Sequence, residues 1–422
     1  MLLIQNAIIV THDEEQQQDI LIENGQISAL ATHIPVTEAM EVIDAAGKLV
    51  APGFIDVHVH LREPGYAYKE TVKTGTMAAA KGGFTTVAPM PNVDPVPDSR
   101  EHLAVLEALI ARDAAVKVEP IASITLDEQG ETLVEMSELA PKVIGFSDDG
   151  VGIQEANTMY QAMLAAKKIG KPIIAHTEDD SLKNRGYVHE GVYAQQQGWR
   201  GIPSVCESSQ IARDITLAEA TGCHYHVCHI SAKESVQLIR EAQAKGISVT
   251  AEVTPHHLVL IDEDVKDSQG KMNPPLRAQA DREALIAGII DGTIAMIATD
   301  HAPHSEEEKA RGLELAPFGI VGLETAFPLL YTKLVQPGII SLTKLIQLLS
   351  MNPADVFQLY DRGCIAVGKQ ADLTIIDLNK TAPVDPQTFV SLGKNTPFTG
   401  MELQGWPVMT LVDGKIVYKE KE

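Results

Sequence analysis

A chain of 422 residues exceeds any single small module; at ~150 residues per domain it makes about three ordinary domains, or one large α/β barrel with a smaller companion. Its 45% hydrophobic, 5% aromatic and 22% charged residues exclude long disorder and fibrous repeats. Against 34 Lys+Arg stand 57 Asp+Glu, a net charge of −23 that repels phosphate backbones and anionic lipid heads, so neither nucleic acid nor a membrane surface is an expected partner.

The apolar run from Met1 to Val10 has no basic flank or small-residue cleavage site and is broken by Gln5 and Asn6, so it reads as a strand rather than a signal peptide. A hairpin follows, with Asn24-Gly25 between Asp19–Glu23 and Gln26–Leu30, both turn residues tolerating positive φ. The C-terminus repeats the pattern: Ala371–Leu378 reads as a strand, and Val408–Val412, Asp413-Gly414 and Lys415–Tyr418 as another hairpin. Residues 1–50 and 365–422 are therefore expected to form one composite β-sandwich domain. No stretch reaches the ~18 uninterrupted apolar residues of a membrane span, and Cys206, Cys223, Cys228 and Cys364 form no CxxC pair. The expectation is a soluble chain in a reducing, cytoplasmic compartment.

Between the termini, eight β-branched runs alternate with helix-compatible stretches: Gly53–Leu61, Phe84–Asn92, Val116–Thr125, Val143–Asp149, Pro172–Thr177, His224–Ile230, Ile247–Thr254 and Ile294–Asp300. Eight βα units over residues 51–364 predict a closed (β/α)8 barrel of the TIM type. No glycine-rich phosphate loop follows any of these strands, so a nucleotide cofactor is not indicated.

Of 14 histidines, those at 58, 60, 176, 224, 226, 229, 256, 257, 301 and 304 fall in or just beyond five of these strands. The C-terminal strand ends of a barrel carry its active site, so this clustering selects metal ligands and catalysts. His58, His60 and Arg62 share strand parity, which predicts all three facing the barrel axis with Val57, Val59 and Leu61 outward. On the sixth strand, parity groups His229 with Tyr225 and Val227 on the barrel side; His224 and His226 are then expected under the helices, with the cysteines as small buried hydrophobes. His176, Asp149 and Asp300 end their strands, although strand-tip aspartates also cap helices and one residue of register exchanges Asp148 with Asp149. His256-His257 is expected to play a supporting or structural part. Arg62 and Asn92, at the first two strand tips, suit a substrate carboxylate, for which the guanidinium fork is adapted.

Four histidines and two aspartates on one rim point to divalent metal, with Zn2+ favoured and Mn2+ and Co2+ open. Six ligands exceed one tetrahedral ion, so a binuclear centre is expected that activates water and polarises a carbonyl, with Asp300 as general base. The reaction class is hydrolysis of an amide-like bond or its reverse. The polar stretch His301–Gly322 beside this rim is expected to act as a lid.

Four motifs carry a resemblance: Asp56–Gly65 (DVHVHLREPG), Gly145–Gly150 (GFSDDG), Asn273–Arg277 (NPPLR) and Ala298–His304 (ATDHAPH), with Lys309 beyond. Together they resemble the amidohydrolase superfamily and, within it, the class I bacterial dihydroorotases, along essentially the whole chain. The resemblance implies metal ligands His58, His60, Asp149, His176, His229 and Asp300, with Asp300 also the catalytic acid/base. It implies substrate contacts from His60, Arg62, Asn92, Asn273, His304 and the Phe318-Gly319 backbone. The implied reaction is reversible closure of N-carbamoyl-L-aspartate to dihydroorotate in pyrimidine synthesis, with one or two zinc ions per subunit. A homodimer and an association with aspartate transcarbamoylase are the implied partners. Many superfamily members carry a carbamylated lysine where this chain has Asp149, and Lys142 lies at the wrong end of the strand; the class I proteins share that departure. Rival readings are a hydantoinase or allantoinase, whose neutral rings need no Arg62, and a silent scaffold, which would be expected to have lost ligands.

Overall fold

The computed structural model describes residues 1–10 and 15–421. Local chemistry sets both hairpins. Asn24 and Gly25 have φ of 52° and 81°, and Asp413 and Gly414 have 48° and 70°, the doubly positive turn whose twist matches that of paired strands. The turns meet across Ala371, whose N–H donates to Gly25 O at 2.8 Å and whose carbonyl accepts from Gly414 N at 3.0 Å.

Strands from both termini join one eight-stranded sheet. Its order runs Lys415–Lys419, Glu402–Val412, Leu373–Pro383, Leu49–Pro52, Leu2–Val10, Glu15–Glu23 and Gln26–Ala31, with Glu41–Asp44 also pairing to Leu2–Val10. The antiparallel pairing of Leu49–Pro52 with Leu373–Ile376 stitches one terminus to the other. Alternate residues of these strands, among them Ile4, Ile20, Ile22, Leu373 and Leu411, bury a separate apolar cluster.

The barrel strands are Phe54–Val59, Phe84–Pro89, Lys117–Val118 continued by Ile121–Ala122, Gly145–Phe146, Ile173–Ala175, Tyr225–Val227, Val249–Val253 and Met296–Ile297. All neighbouring pairs are parallel. The third strand splits around Pro120, which has no N–H for the ladder; one half pairs with the second strand and the other with the fourth. The ring closes where His60 N donates to His301 O at 2.8 Å. An excursion after the fifth strand adds a small two-stranded ribbon, Val188–His189 with Gly201–Ile202.

Two apolar clusters divide the barrel wall. Phe84, Phe146, Ile173, Tyr225, Val227 and Val253 pack outward with helix residues such as Leu103, Met163 and Ile211. Ile55, Val57, Ala88, Ile121, Ile174, Cys228 and Met296 fill the interior over Ala354 and Phe357. The His- and Asp-rich strand ends sit above this plug, so its packing fixes where they stand.

Gly53 leads into the first barrel strand where a Cβ would fall 2.1 Å from Thr85 Oγ1 and 2.7 Å from Thr85 Cβ. Rotating the threonine cannot relieve a clash with its own Cβ. Gly53→Ala is expected to cost ~1–3 kcal/mol by overpacking, read as a lower denaturation midpoint; an unchanged midpoint would show that the two strands separate freely.

Candidate metal centre and active site

His58, His60, Asp149, His176, His229 and Asp300 are all brought to one mouth of the barrel and all are buried. Asp149 sits among the four imidazoles: its Oδ1 is 3.4 Å from His58 Nε2, 3.7 Å from His176 Nδ1 and 3.9 Å from His229 Nε2, and its Oδ2 is 3.7 Å from His60 Nε2. Asp300 Oδ1 lies 3.0 Å from His60 Nε2 and 3.6 Å from His58 Nε2. His176 Nδ1 and His229 Nε2 approach to 3.0 Å. Three groups of suitable geometry overlap at His58: His58, His60 and Asp300; His58, Asp149 and His229; and, on the inner side, His58, Cys228 and Glu252.

The donor set fits a divalent cation. His58 Nε2 and Asp149 Oδ1 are buried with no hydrogen-bond partner, although an unmet buried polar atom costs ~1–3 kcal/mol. Both point into the cluster. Burial opposes charge on Asp149, yet the imidazoles of His58, His60, His176 and His229 outweigh it and hold the carboxyl below its usual range. Burial also opposes charge on Asp300, and the hydrogen bond to His60 with the charges of His58, His60 and His229 holds that carboxyl far down. Burial, then His176 and His58, push His229 down to about 4. Asp149 and Asp300 are thus held ionised and His229 is shifted toward the neutral form that binds metal; burial opposes charge on His58 and His176, but the carboxylates beside them raise both, so an arriving cation displaces their protons.

Supporting residues fix the imidazole tautomers. His58 Nδ1 donates to Glu252 Oε1 at 2.7 Å, while Glu252 Oε2 holds His226 Nε2 at 3.1 Å. A carboxylate behind a ligating imidazole turns the other ring nitrogen's lone pair toward the ion. Asn92 does the same for His60, its Oδ1 lying 3.0 Å from Nδ1, while its Nδ2 donates to Asp149 Oδ2 at 3.1 Å. Asn92 thus bridges His60 and Asp149 and also lines the adjoining cavity.

Strand register departs from simple parity in two places. One extra residue in the first strand between Asp56 and Val59 puts Val57 in the interior plug beside Ile55, contrary to the outward position expected, while Val59 and Leu61 do pack outward. The sixth strand is reversed from expectation: Tyr225 points out to Asp214 Oδ2 at 3.1 Å, and His226 and Cys228 point in. The strand ends at Val227, and His229, with φ of 30°, swings inward after it. His226 is therefore an inner residue holding Glu252, not one beneath the helices.

The strand-tip alternatives separate cleanly. Asp148 turns away, accepting Ile124 N at 2.7 Å, Thr125 N at 3.0 Å and the Thr125 hydroxyl. His257 is tied to Thr254 Oγ1 and Pro274 O, and Lys142 pairs with Glu107 at 2.9 Å on the surface. Arg62 forms no salt bridge with Glu63 or Glu70, whose carboxylates hold Val72 N and His301 instead.

Beside the cluster lies a cavity of about 210 Å³, lined by His60, Arg62, Asn92, Asn273, His304, Phe318 and Gly319. Arg62 donates from Nε to Pro303 O at 3.3 Å; among the described residues no carboxylate pairs with it. Asn273 Nδ2 donates to Glu178 Oε2 at 3.2 Å, which also holds Lys183 Nζ at 2.5 Å. Phe318 O accepts from His304 Nε2 at 2.7 Å and Gly319 N donates to Lys271 O at 3.0 Å, so this backbone forms the wall with those groups already paired. Sequence reading missed Glu252, Glu178 and Lys183. Only Glu252 left a signal, as an acid inside the β-branched run Val249–Val253, where a charge needs a buried partner.

Two family profiles match the chain: "Dihydro-orotase-like" over residues 47–235 and "Amidohydrolase family" over 323–418. The chain is 58% identical to a dihydroorotase of Geobacillus sp. (strain WCH70) over 96% of its length and 95% of that protein, and 56% identical to one of Bacillus cytotoxicus over 96% and 94%. Among solved structures it resembles the L-hydantoinase of Arthrobacter aurescens (TM-score 0.90, 26% identity, 100% of this chain and 96% of that one) and the D-hydantoinase of Thermus sp. (0.86, 28%, 100% and 96%). The barrel with its terminal sheet is thus an architecture shared by cyclic-amide hydrolases.

Metal analysis after dialysis should separate the neighbouring acids. Asp149→Ala is expected to lose bound metal, whereas Asp148→Ala should retain it and unfold at lower denaturant, having lost three hydrogen bonds. Equal metal loss in both variants would sink the assignment.

Proposed function

The chain belongs to the dihydroorotase family, and from that premise we propose that this site closes N-carbamoyl-L-aspartate reversibly to (S)-dihydroorotate and water, a step of pyrimidine synthesis. The observation that carries the substrate is Arg62: a half-buried guanidinium with no carboxylate partner among the described residues, facing the same cavity as the His–Asp cluster. A ring bearing a carboxylate meets that cation, and a neutral hydantoin does not. All six ligand residues are present, which supports an active enzyme over a silent scaffold.

Zinc is the metal proposed, one or two ions held by His58, His60, Asp149, His176, His229 and Asp300; when bound it would supply Lewis-acid polarisation of the amide carbonyl and acidify water. The protein groups do the rest. Arg62, with His304 and Asn273, orients the substrate carboxylate so that the amide faces the cluster, and His60 stands beside Asp300 to fix its carboxylate. In hydrolysis Asp300 accepts a proton from the attacking water and passes it to the departing ring nitrogen; in cyclisation it runs the transfers backwards. Burial of the site keeps competing water from the carboxylate clamp.

The described residues contain no helix long and apolar enough to cross a membrane, and a cytoplasmic location is part of the proposal. So are a homodimer and association with aspartate transcarbamoylase, which sedimentation of the purified chain, alone and mixed with that enzyme, reads directly.

Assays with dihydroorotate, dihydrouracil, hydantoin and allantoin, alongside metal analysis, test the assignment; turnover is expected with dihydroorotate, and preference for hydantoin would move the chain to the hydantoinases. Loss of a partly buried charge-assisted contact costs ~2–5 kcal/mol, so Arg62→Ala should lower kcat/KM for dihydroorotate by roughly 30-fold to several-thousand-fold at normal metal content. Asp300→Asn keeps an oxygen in place but no proton acceptor, and should abolish both directions together; near wild-type turnover in either direction, with metal content verified, would remove Asp300 from proton transfer.

A further inference from the structure

Gly319 occupies a backbone region closed to other residues, with φ of 119°, and a Cβ there would meet Ala302 Cβ at 2.6 Å and His304 Nε2 at 3.3 Å. The chain can pass this close to His304 only as glycine, and an unrestrained glycine has wide conformational freedom. Its carbonyl is restrained twice: Lys309 Nζ and Asn395 Nδ2 each donate to Gly319 O at 3.0 Å.

Neither donor was bound to be there. Lys309 is 2% exposed, and among the described residues its ammonium has only backbone carbonyls as hydrogen-bond partners: Gly319 O, Pro317 O at 3.1 Å and Lys271 O at 3.4 Å. Three donors meet three acceptors. Asn395 is 3% exposed and comes from the chain beyond the barrel. Its Nδ2 also donates to Ala302 O at 2.9 Å, and its Oδ1 accepts from His304 N at 3.1 Å. His304 in turn donates from Nε2 to Phe318 O at 2.7 Å. The contacts form a closed circuit from Asn395 to His304, to Phe318-Gly319 and back, with Lys309 bracing the glycine from the segment at Lys271.

We propose that Lys309 and Asn395 are positioning residues that clamp Gly319, and so set where His304 and the Phe318 wall stand opposite Arg62. This rests on the functional reading above, since the wall matters through the carboxylate it faces. Asn395 thereby makes the C-terminal part of the chain a component of substrate binding, and Lys309 gives the polar stretch His301–Gly322 a fixed anchor.

The test compares wild type with Lys309→Met and Asn395→Ser, each loaded with metal. Metal content is expected to stay normal, KM for dihydroorotate to rise at least tenfold with kcat changed less than threefold, and amide hydrogens in residues 316–322 to exchange at least tenfold faster. KM within twofold of wild type overturns the proposal, because faster exchange alone would make the pair merely structural. A raised KM without faster exchange overturns it equally. Should Lys309→Met fail to fold, Asn395→Ser is judged by the same criteria. Failure of the wild type to turn over dihydroorotate would strike the functional reading, while the exchange comparison still decides whether the clamp exists.

Discussion

The site is organised by the cost of burying charge. Asp149, Asp300 and Glu252 are carboxylates shut away from water at the mouth of the barrel, and such a charge persists only when paired and hydrogen-bonded. Each has its imidazoles: Asp149 stands among His58, His60, His176 and His229, Asp300 between His58 and His60, and Glu252 between His58 and His226. His58 links all three. With Nδ1 committed to Glu252 and Nε2 unpaired toward Asp149 and Asp300, it couples the inside of the barrel to the reactive face. What this network leaves unmet, lone pairs directed at a common point, is what a divalent cation completes.

That arrangement demands rigidity from what surrounds it. Below, Ile55, Val57, Ile121, Ile174 and Met296 fill the interior as one buried apolar cluster, and a close-packed core resists the drift of strand ends that would spoil the arrangement of the His–Asp cluster. Beside it, the stretch after the eighth strand carries two short helices, Glu306–Lys309 and Gly312–Leu315, and is held from within by Lys309. Outside, residues 389–396 brace the same region: Glu324 accepts Val390 N and Ser391 N, Glu70 takes the Ser391 hydroxyl and Leu392 N, and Asn395 holds His304 N. The terminal sheet and the barrel are therefore mechanically joined at the edge of the site.

The same logic divides the polar residues of the cavity. Asn92 lines the cavity, as a substrate contact would, and its amide also bridges His60 and Asp149, because an amide is one of few groups that can donate to a carboxylate and accept from an imidazole at once. Arg62 has the opposite fate: its neighbours Glu63 and Glu70 are occupied elsewhere, which leaves a cation available to an anionic ligand. In the proposed reading, selectivity for a carboxylate-bearing ring thus depends as much on what Glu63 and Glu70 are bonded to as on Arg62 itself.

Sequence alone determined what depends on local chemistry: the two hairpins, set by Asn-Gly and Asp-Gly turns; the alternation that makes a parallel barrel; and the collection of His and Asp at strand ends, because a barrel's active face is written into where its strands stop. It did not determine which way individual side chains point. Parity assumes an unbroken pleat, and the extra residue after Asp56 and the positive φ of His229 each break it, so Val57 and His226 lie on the side opposite to the one expected. Asp148 and Asp149 differ by one position and point to different surroundings, Asp149 to the imidazoles and Asp148 to Ile124 and Thr125, some two dozen residues away in the chain. Glu252 and Asn395 were not recognised because their partners lie on distant segments. Only tertiary structure brings a buried charge to the atoms that satisfy it, and the energy of that pairing, absent from any local stretch, decides where the charge ends up.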